Sequence, residues 1–153
     1  MSIVKHSKDL NWQQSRKRLF HLWIRTNIPT LLLASLLGTY LDLFFIGKTL
    51  YTFPKRPLPH IFSFNILFTC VGLPLLTSFF LLLCNILSLS KKVILIFMLS
   101  MLMTVGERFS ESIGYFAHSD SWNHLYSFIG YTFYLVFIYC FYQWSNDRDL
   151  PRA

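Results

Sequence analysis

VILIFMLSMLMTVGERFSESIG, residues Val93–Gly114, decides the fold of this chain. From Val93 to Val105 the stretch carries no charge; Glu107, Arg108 and Glu111 then follow within five residues. A bilayer core takes a helix of roughly 20 mostly apolar residues, so the stretch is long enough to span. A charge in hydrocarbon is costly, and it turns towards a partner, a cavity or the interior of a bundle. The stretch therefore predicts a membrane helix with a polar end that packs against other helices.

Three more such runs lie around it. The first is Ile28–Gly47, IPTLLLASLLGTYLDLFFIG, with Asn27 as a cap, Pro29 in its first turn and Gly47 at its end. The second is residues 61–83, with a kink expected at Gly72 and Pro74 because proline removes a backbone donor. The fourth is Trp122–Trp144, rich in aromatics and bounded by tryptophan at both ends, as an interfacial belt would be. The predicted fold is all-α: a polytopic membrane protein with a four-transmembrane-helix bundle over residues 28–144 (spans 28–47, 61–83, 93–114 and 122–144). Residues 1–27 precede it and a short polar tail, 145–153, follows. Because polar and mixed residues come before the first apolar run, that run reads as a retained span and not a cleaved leader.

Composition agrees. Of 153 residues, 54% are hydrophobic and 18% aromatic, with 16 Phe and 8 Tyr, which suits lipid-facing and interfacial positions better than a small soluble core. The net charge is +7, but the basic residues gather near the N-terminus with no base-reading pattern among them. Anionic lipid headgroups are the expected attraction, and no nucleic acid is. Within residues 9–25, Leu10, Trp12, Leu19, Phe20, Leu22 and Trp23 mix with Arg16, Lys17 and Arg18. This segment is either an interfacial amphipathic helix or a plain basic flank that sets topology. Cys70, Cys84 and Cys140 are isolated in apolar runs and read as small buried side chains, not as a zinc or disulfide framework.

Loop charges orient the bundle. Ten of the 14 basic residues fall on the side that carries both termini and the Lys91–Lys92 connection. The other side has Lys48, Lys55, Arg56 and Arg108. The positive-inside rule therefore places both termini in the cytoplasm. The Lys48–His60 connection, with Pro54, Pro57 and Pro59, is expected to be extended and stiff.

This topology brings the charges to one depth. Asp42 lies roughly 8 Å and Glu107 roughly 10 Å below the outer ends of their helices, at 1.5 Å per residue. Ala34, Gly38 and Asp42 share one helix face, and Gly106, Ser110 and Gly114 share another; such small-residue faces favour close helix packing. Arg108 can pair with Glu111 along its helix or reach Asp42. His60, His118 and His124 fall near the same boundary. Two readings of Asp42, Glu107, Arg108 and Glu111 stand side by side. In one, Arg108 ties the acids together as a staple between helices. In the other, the acids and a histidine bind a cation or relay protons, since carboxylate and imidazole suit several divalent metals without selecting one. Asn65 and Asn85 are expected to bond between helices, and Ser127 and Gly130 to permit close packing. No phosphate-cradling loop, HExxH pattern or local nucleophile–base pair occurs, so no catalytic residue and no cofactor is assigned.

The stretch Arg25–Pro54, RTNIPTLLLASLLGTYLDLFFIGKTLYTFP, resembles a family of small multi-pass membrane proteins of endospore-forming Gram-positive bacteria. So do FSFNILFT, VGLPLLTSFF, GERFSE and HSDSWNHLYSFIGY; together they cover residues 25–144. The resemblance implies a bacterial cytoplasmic membrane and a role in spore-forming cells, and it carries no assigned activity. The functional expectation is an accessory or interaction component, as a homo-oligomer or with another membrane protein. The alternatives are a small transporter or ion-conducting protein, and an intramembrane lipid-modifying enzyme.

Overall fold

The computed structural model describes residues 26–147; the readings made for residues 1–25 and for the tail from 148 lie outside it. Four helices are long and apolar enough to cross a membrane: α1, Thr26–Gly47; α2, Phe68–Ile86; α3, Leu89–Ser112; and α4, His124–Asp147. The chain is a multi-pass four-helix bundle. Ala34 on α1, Leu73, Phe80, Leu81 and Cys84 on α2, Ile96 and Leu99 on α3, and Leu135, Ile138 and Tyr142 on α4 form one buried cluster. The outer faces are apolar as well, with Leu32, Leu36, Phe97, Met101, Phe133 and Phe137 exposed, a surface suited to lipid.

Helix ends differ from the expected ones for local reasons. The helix of the second span begins at Ile66, just ahead of α2, and not at residue 61. Asn65 caps the helix by accepting the Phe68 N–H (3.2 Å), so it serves its own helix and does not bond between helices. Ahead of Pro74 the expected irregularity takes the form of a π turn, Phe68–Gly72. There the Leu73 N–H reaches back five residues to Phe68 O, widening the helix just before the proline that cannot donate. Asn85 meets the expectation: the Tyr142 hydroxyl of α4 donates to it at 2.9 Å. The third span starts earlier, at Leu89, and draws Lys91 and Lys92 into its first turn.

Both α1 and α3 stop in the same manner. Gly114 adopts φ +78°, the Tyr115 N–H bonds Ser110 O (2.8 Å), and the Gly114 N–H bonds Glu111 O (2.9 Å). This is a Schellman stop with glycine in the left-handed position. On α1, Leu50 N–H to Phe45 O (3.0 Å) and Thr49 N–H to Ile46 O (2.9 Å) repeat the pattern. The left-handed residue is Thr49, at φ 56°, and not Gly47. A β-branched residue there is strained. Thr49→Gly is therefore expected to stabilise the protein by about 1 kcal/mol, read as a raised unfolding temperature in detergent.

The two stops feed two short strands, β1 (Tyr51–Thr52) and β2 (Ala117–His118), paired antiparallel with Tyr51 opposite His118. The Ser119 N–H extends the ladder to Leu50 O at 2.9 Å. The α1–α2 and α3–α4 connections thus meet at one end of the bundle as a cap. Beyond β1, Arg56 binds the carbonyls of Phe53, Pro59 and Phe62 and holds the proline-rich loop in shape.

The small-residue faces are used unequally. Ala34 is fully buried and its carbonyl accepts the Tyr134 hydroxyl (2.8 Å). At Gly38 an added Cβ would collide with the Leu73 side chain of α2. Gly38→Ala is expected to cost about 1–3 kcal/mol in denaturation of the solubilised protein, because buried Leu73 has little room to move. Gly106 and Gly130 are exposed with nothing within 4 Å of an added Cβ, and Gly114 ends the helix. Gly106, Ser110 and Gly114 therefore do not form the expected packing face. Cys84 is buried, whereas Cys70 and Cys140 are exposed and not buried as expected; all three are free.

Candidate metal centre at the capped end

The last two turns of α3 place Glu107 and Glu111 one above the other. Glu107 is only 9% exposed and faces α4, whose His124, Ser127 and Tyr131 recur at helical spacing and all point at it. Ser127 Oγ donates to Glu107 Oε1 at 2.6 Å, Tyr131 OH to Oε2 at 2.8 Å, and His124 Nδ1 to Oε1 at 3.0 Å. Trp122 Nε1 donates to Ser127 Oγ at 3.2 Å, which leaves the serine proton for the carboxylate. Glu107 is thus the single acceptor on which three donors of α4 converge. The trio of Ser127, Glu107 and His124 is not a catalytic triad: the hydroxyl meets the acid and not the imidazole Nε2, so no base faces it.

The outer tier is built on Glu111. His118, on β2, has Nδ1 2.9 Å from Ser119 O. A carbonyl only accepts, so Nδ1 carries a proton and Nε2 points away from the backbone. Its Nε2 lies 3.1 Å from Glu111 Oε1, and His124 Nε2 lies 3.4 Å from Glu111 Oε2. The two imidazole rings meet edge to face, 5.1 Å between centroids. Both histidines thus have Nδ1 committed to an acceptor and Nε2 turned on the same carboxylate. Either each Nε2 carries a proton and donates to the carboxylate, or a cation lies between the lone pairs and the carboxylate. Two protons or one divalent ion would each balance the charges of Glu107 and Glu111.

Metal chemistry fits the spacing. One ligand atom from each of Glu111, His118 and His124 can be chosen so that all lie within 4.8 Å of one another. In a tetrahedral zinc centre with bonds of about 2.0–2.1 Å, neighbouring ligand atoms sit about 3.3 Å apart; the two histidines approach different oxygens of Glu111, at 3.1 and 3.4 Å, so an ion would draw the three side chains together around it. Metal-bound histidines usually give their other ring N–H to a carboxylate or a backbone carbonyl, and here His124 does the first and His118 the second. The accessible share of each side chain rises outwards, from 15% for His124 through 23% for His118 to 35% for Glu111. The cluster is thus reached from its Glu111 side.

Asp42 stands apart from this set. It accepts the Tyr51 hydroxyl at 2.8 Å. Tyr51 is buried among Phe45, Phe53, Phe116 and Trp122, and burial together with the charges of Asp42 and Glu107 pushes its phenol well above the usual tyrosine range. The hydroxyl is a permanent donor that ties α1 to the cap. Arg108 is exposed and makes no ion pair or hydrogen bond with a described residue, so it does not staple the acids. Among the described residues, histidines fill that place. His60 is exposed on the α1–α2 connection and takes no part. The sequence also left out Tyr51 and the use of Ser127 and Tyr131 as donors. The spacing His124, Ser127, Tyr131 was a signal for the last two; nothing local marked Tyr51.

The chain matches no family model, no curated protein and no solved structure.

Proposed function

We propose that this chain is an integral membrane protein built around one divalent transition-metal ion, with Glu111, His118 and His124 as ligands. The observation that carries this reading is the paired commitment of both Nδ1 atoms, which turns both Nε2 atoms on Glu111. Two histidines and a glutamate with a fourth position open is the ligand set of catalytic zinc sites. A metal so held acts as a Lewis acid and brings the pKa of bound water to about 7. Of the alternatives weighed on sequence, this favours metal-assisted chemistry near the bilayer surface.

The test is metal content. Protein purified in neutral detergent, stripped with chelator and titrated with zinc should take up about one ion per chain. Failure to bind zinc, iron(II) or manganese while the protein remains folded would overturn the reading.

A second reading, the accessory component, is favoured by Gly106 and Gly130, whose open surroundings leave room for a neighbouring helix. Cysteines placed at these positions should cross-link between chains in membranes if it holds. The likeness to membrane proteins of endospore-forming bacteria supports a bacterial cytoplasmic membrane. Loop charge supports cytoplasmic termini, which would put the metal centre at the outer surface.

A further inference from the structure

We propose that Arg108 and the metal centre together bind the headgroup of a phosphate-bearing lipid on the outer face of α3. The inference rests on the metal reading above and names its ligand. Ile94, Met98, Met101 and Val105 recur at spacings of four, three and four residues, and all are exposed. That spacing makes one stripe along the helix, and Arg108, three residues further, stands at its head. An acyl chain fits the stripe and an anion fits its end.

Arg108 is the one cation in the second half of α3, and no described residue neutralises it. An arginine about 6 Å below the helix end extends towards headgroup level. Its guanidinium suits a phosphate, which it can hold with two parallel hydrogen bonds. Glu111 is three residues on, so the two side chains start about 5–6 Å apart on neighbouring faces. Glu111 is also the most exposed of the three ligands. A single phosphate can therefore bridge guanidinium and metal. Lys55 adds a further positive charge at the same helix end, with Nζ 2.8 Å from Ile113 O.

The experiment is lipid retention by the full chain in neutral detergent, followed by native mass spectrometry. The probes are phosphatidylglycerol, diacylglycerol of the same chains, and inorganic phosphate as competitor. Zinc-loaded wild type should keep phosphatidylglycerol about tenfold better than diacylglycerol. Arg108→Gln should lose that preference with zinc uptake unchanged, which also shows that the variant is folded; Arg108→Lys should recover part of it. A preference unaltered by Arg108→Gln overturns the proposal. So does an Arg108-dependent preference that is the same without zinc, because the site would then be the arginine alone. Full displacement by inorganic phosphate at the lipid's own concentration would make the ligand free phosphate and overturn the lipid assignment. Absence of zinc uptake by wild type is read before any lipid is added and counts against the metal reading itself.

Discussion

Zinc affinity is expected to fall by at least about a hundredfold when His118 is replaced by Ala. Losing a ligand costs more than losing a ligand's support, and the latter alone costs about 10–100-fold. His118 is the informative ligand because it belongs to the cap. Its partners are Ser119 O, Glu111 and the rings of His124 and Phe116, and it lies outside the buried cluster that joins the helices. The apo bundle should therefore unfold at an unchanged temperature. Wild type should be stabilised by zinc, by about 2.7 kcal/mol at a hundred times the dissociation constant, and His118→Ala should not be. Isothermal titration with paired thermal melts in the same detergent reads both quantities. Equal zinc stabilisation of wild type and variant would move the metal away from this site.

The second large effect is at Glu107. Glu107→Ala removes the acceptor of three donors at once, Ser127, Tyr131 and His124. Each buried donor left without a partner costs about 1–3 kcal/mol, so the loss should reach several kcal/mol and the α3–α4 pairing should weaken visibly. Glu107→Gln keeps one oxygen but sets an amide N–H against a donor. It should unfold at a temperature between those of wild type and the alanine variant. In Glu107→Gln the His124 ring is also less firmly oriented, and zinc affinity should drop about 10–100-fold while all three ligands remain. An alanine variant with the stability of wild type would show that the carboxylate is not the acceptor described.

The class of fold was legible because four apolar runs of bilayer length leave few alternatives. The edges were less so. Residues 61–64 are apolar enough to extend α2, but Asn65 caps the helix after them, and hydropathy does not register a cap. The acids and His118 and His124 were visible as residues out of keeping with their surroundings, and the shared topology put them at one depth. Their partners were harder to read. Arg108 was the obvious counter-charge by sequence distance, yet its position on α3 turns it outwards, while Glu107 turns inwards to α4. Helical phase decides this, and a charge count does not contain it. The Tyr51–Asp42 bond depends on where the α1–α2 connection returns, and the pairing of Tyr51 with His118 joins residues 67 positions apart. No local pattern encodes either.

The cap is held together differently from the helices beneath it. Its ladder joins two short strands far apart in sequence, and closing so long a loop for so few hydrogen bonds is unfavourable unless the helices have already brought the ends together. The ladder is thus a late product of assembly and an early casualty of fluctuation. In hydrogen exchange the amide of Ser119 should trade its proton well before those of Leu99 and Leu135 in the core. His118 rides on that ladder, so the same local breathing that frees the strand would free one of the three proposed ligands. Ion exchange can then proceed without melting the bundle, and the lifetime of the bound ion would be set by the cap and not by the global stability of the protein.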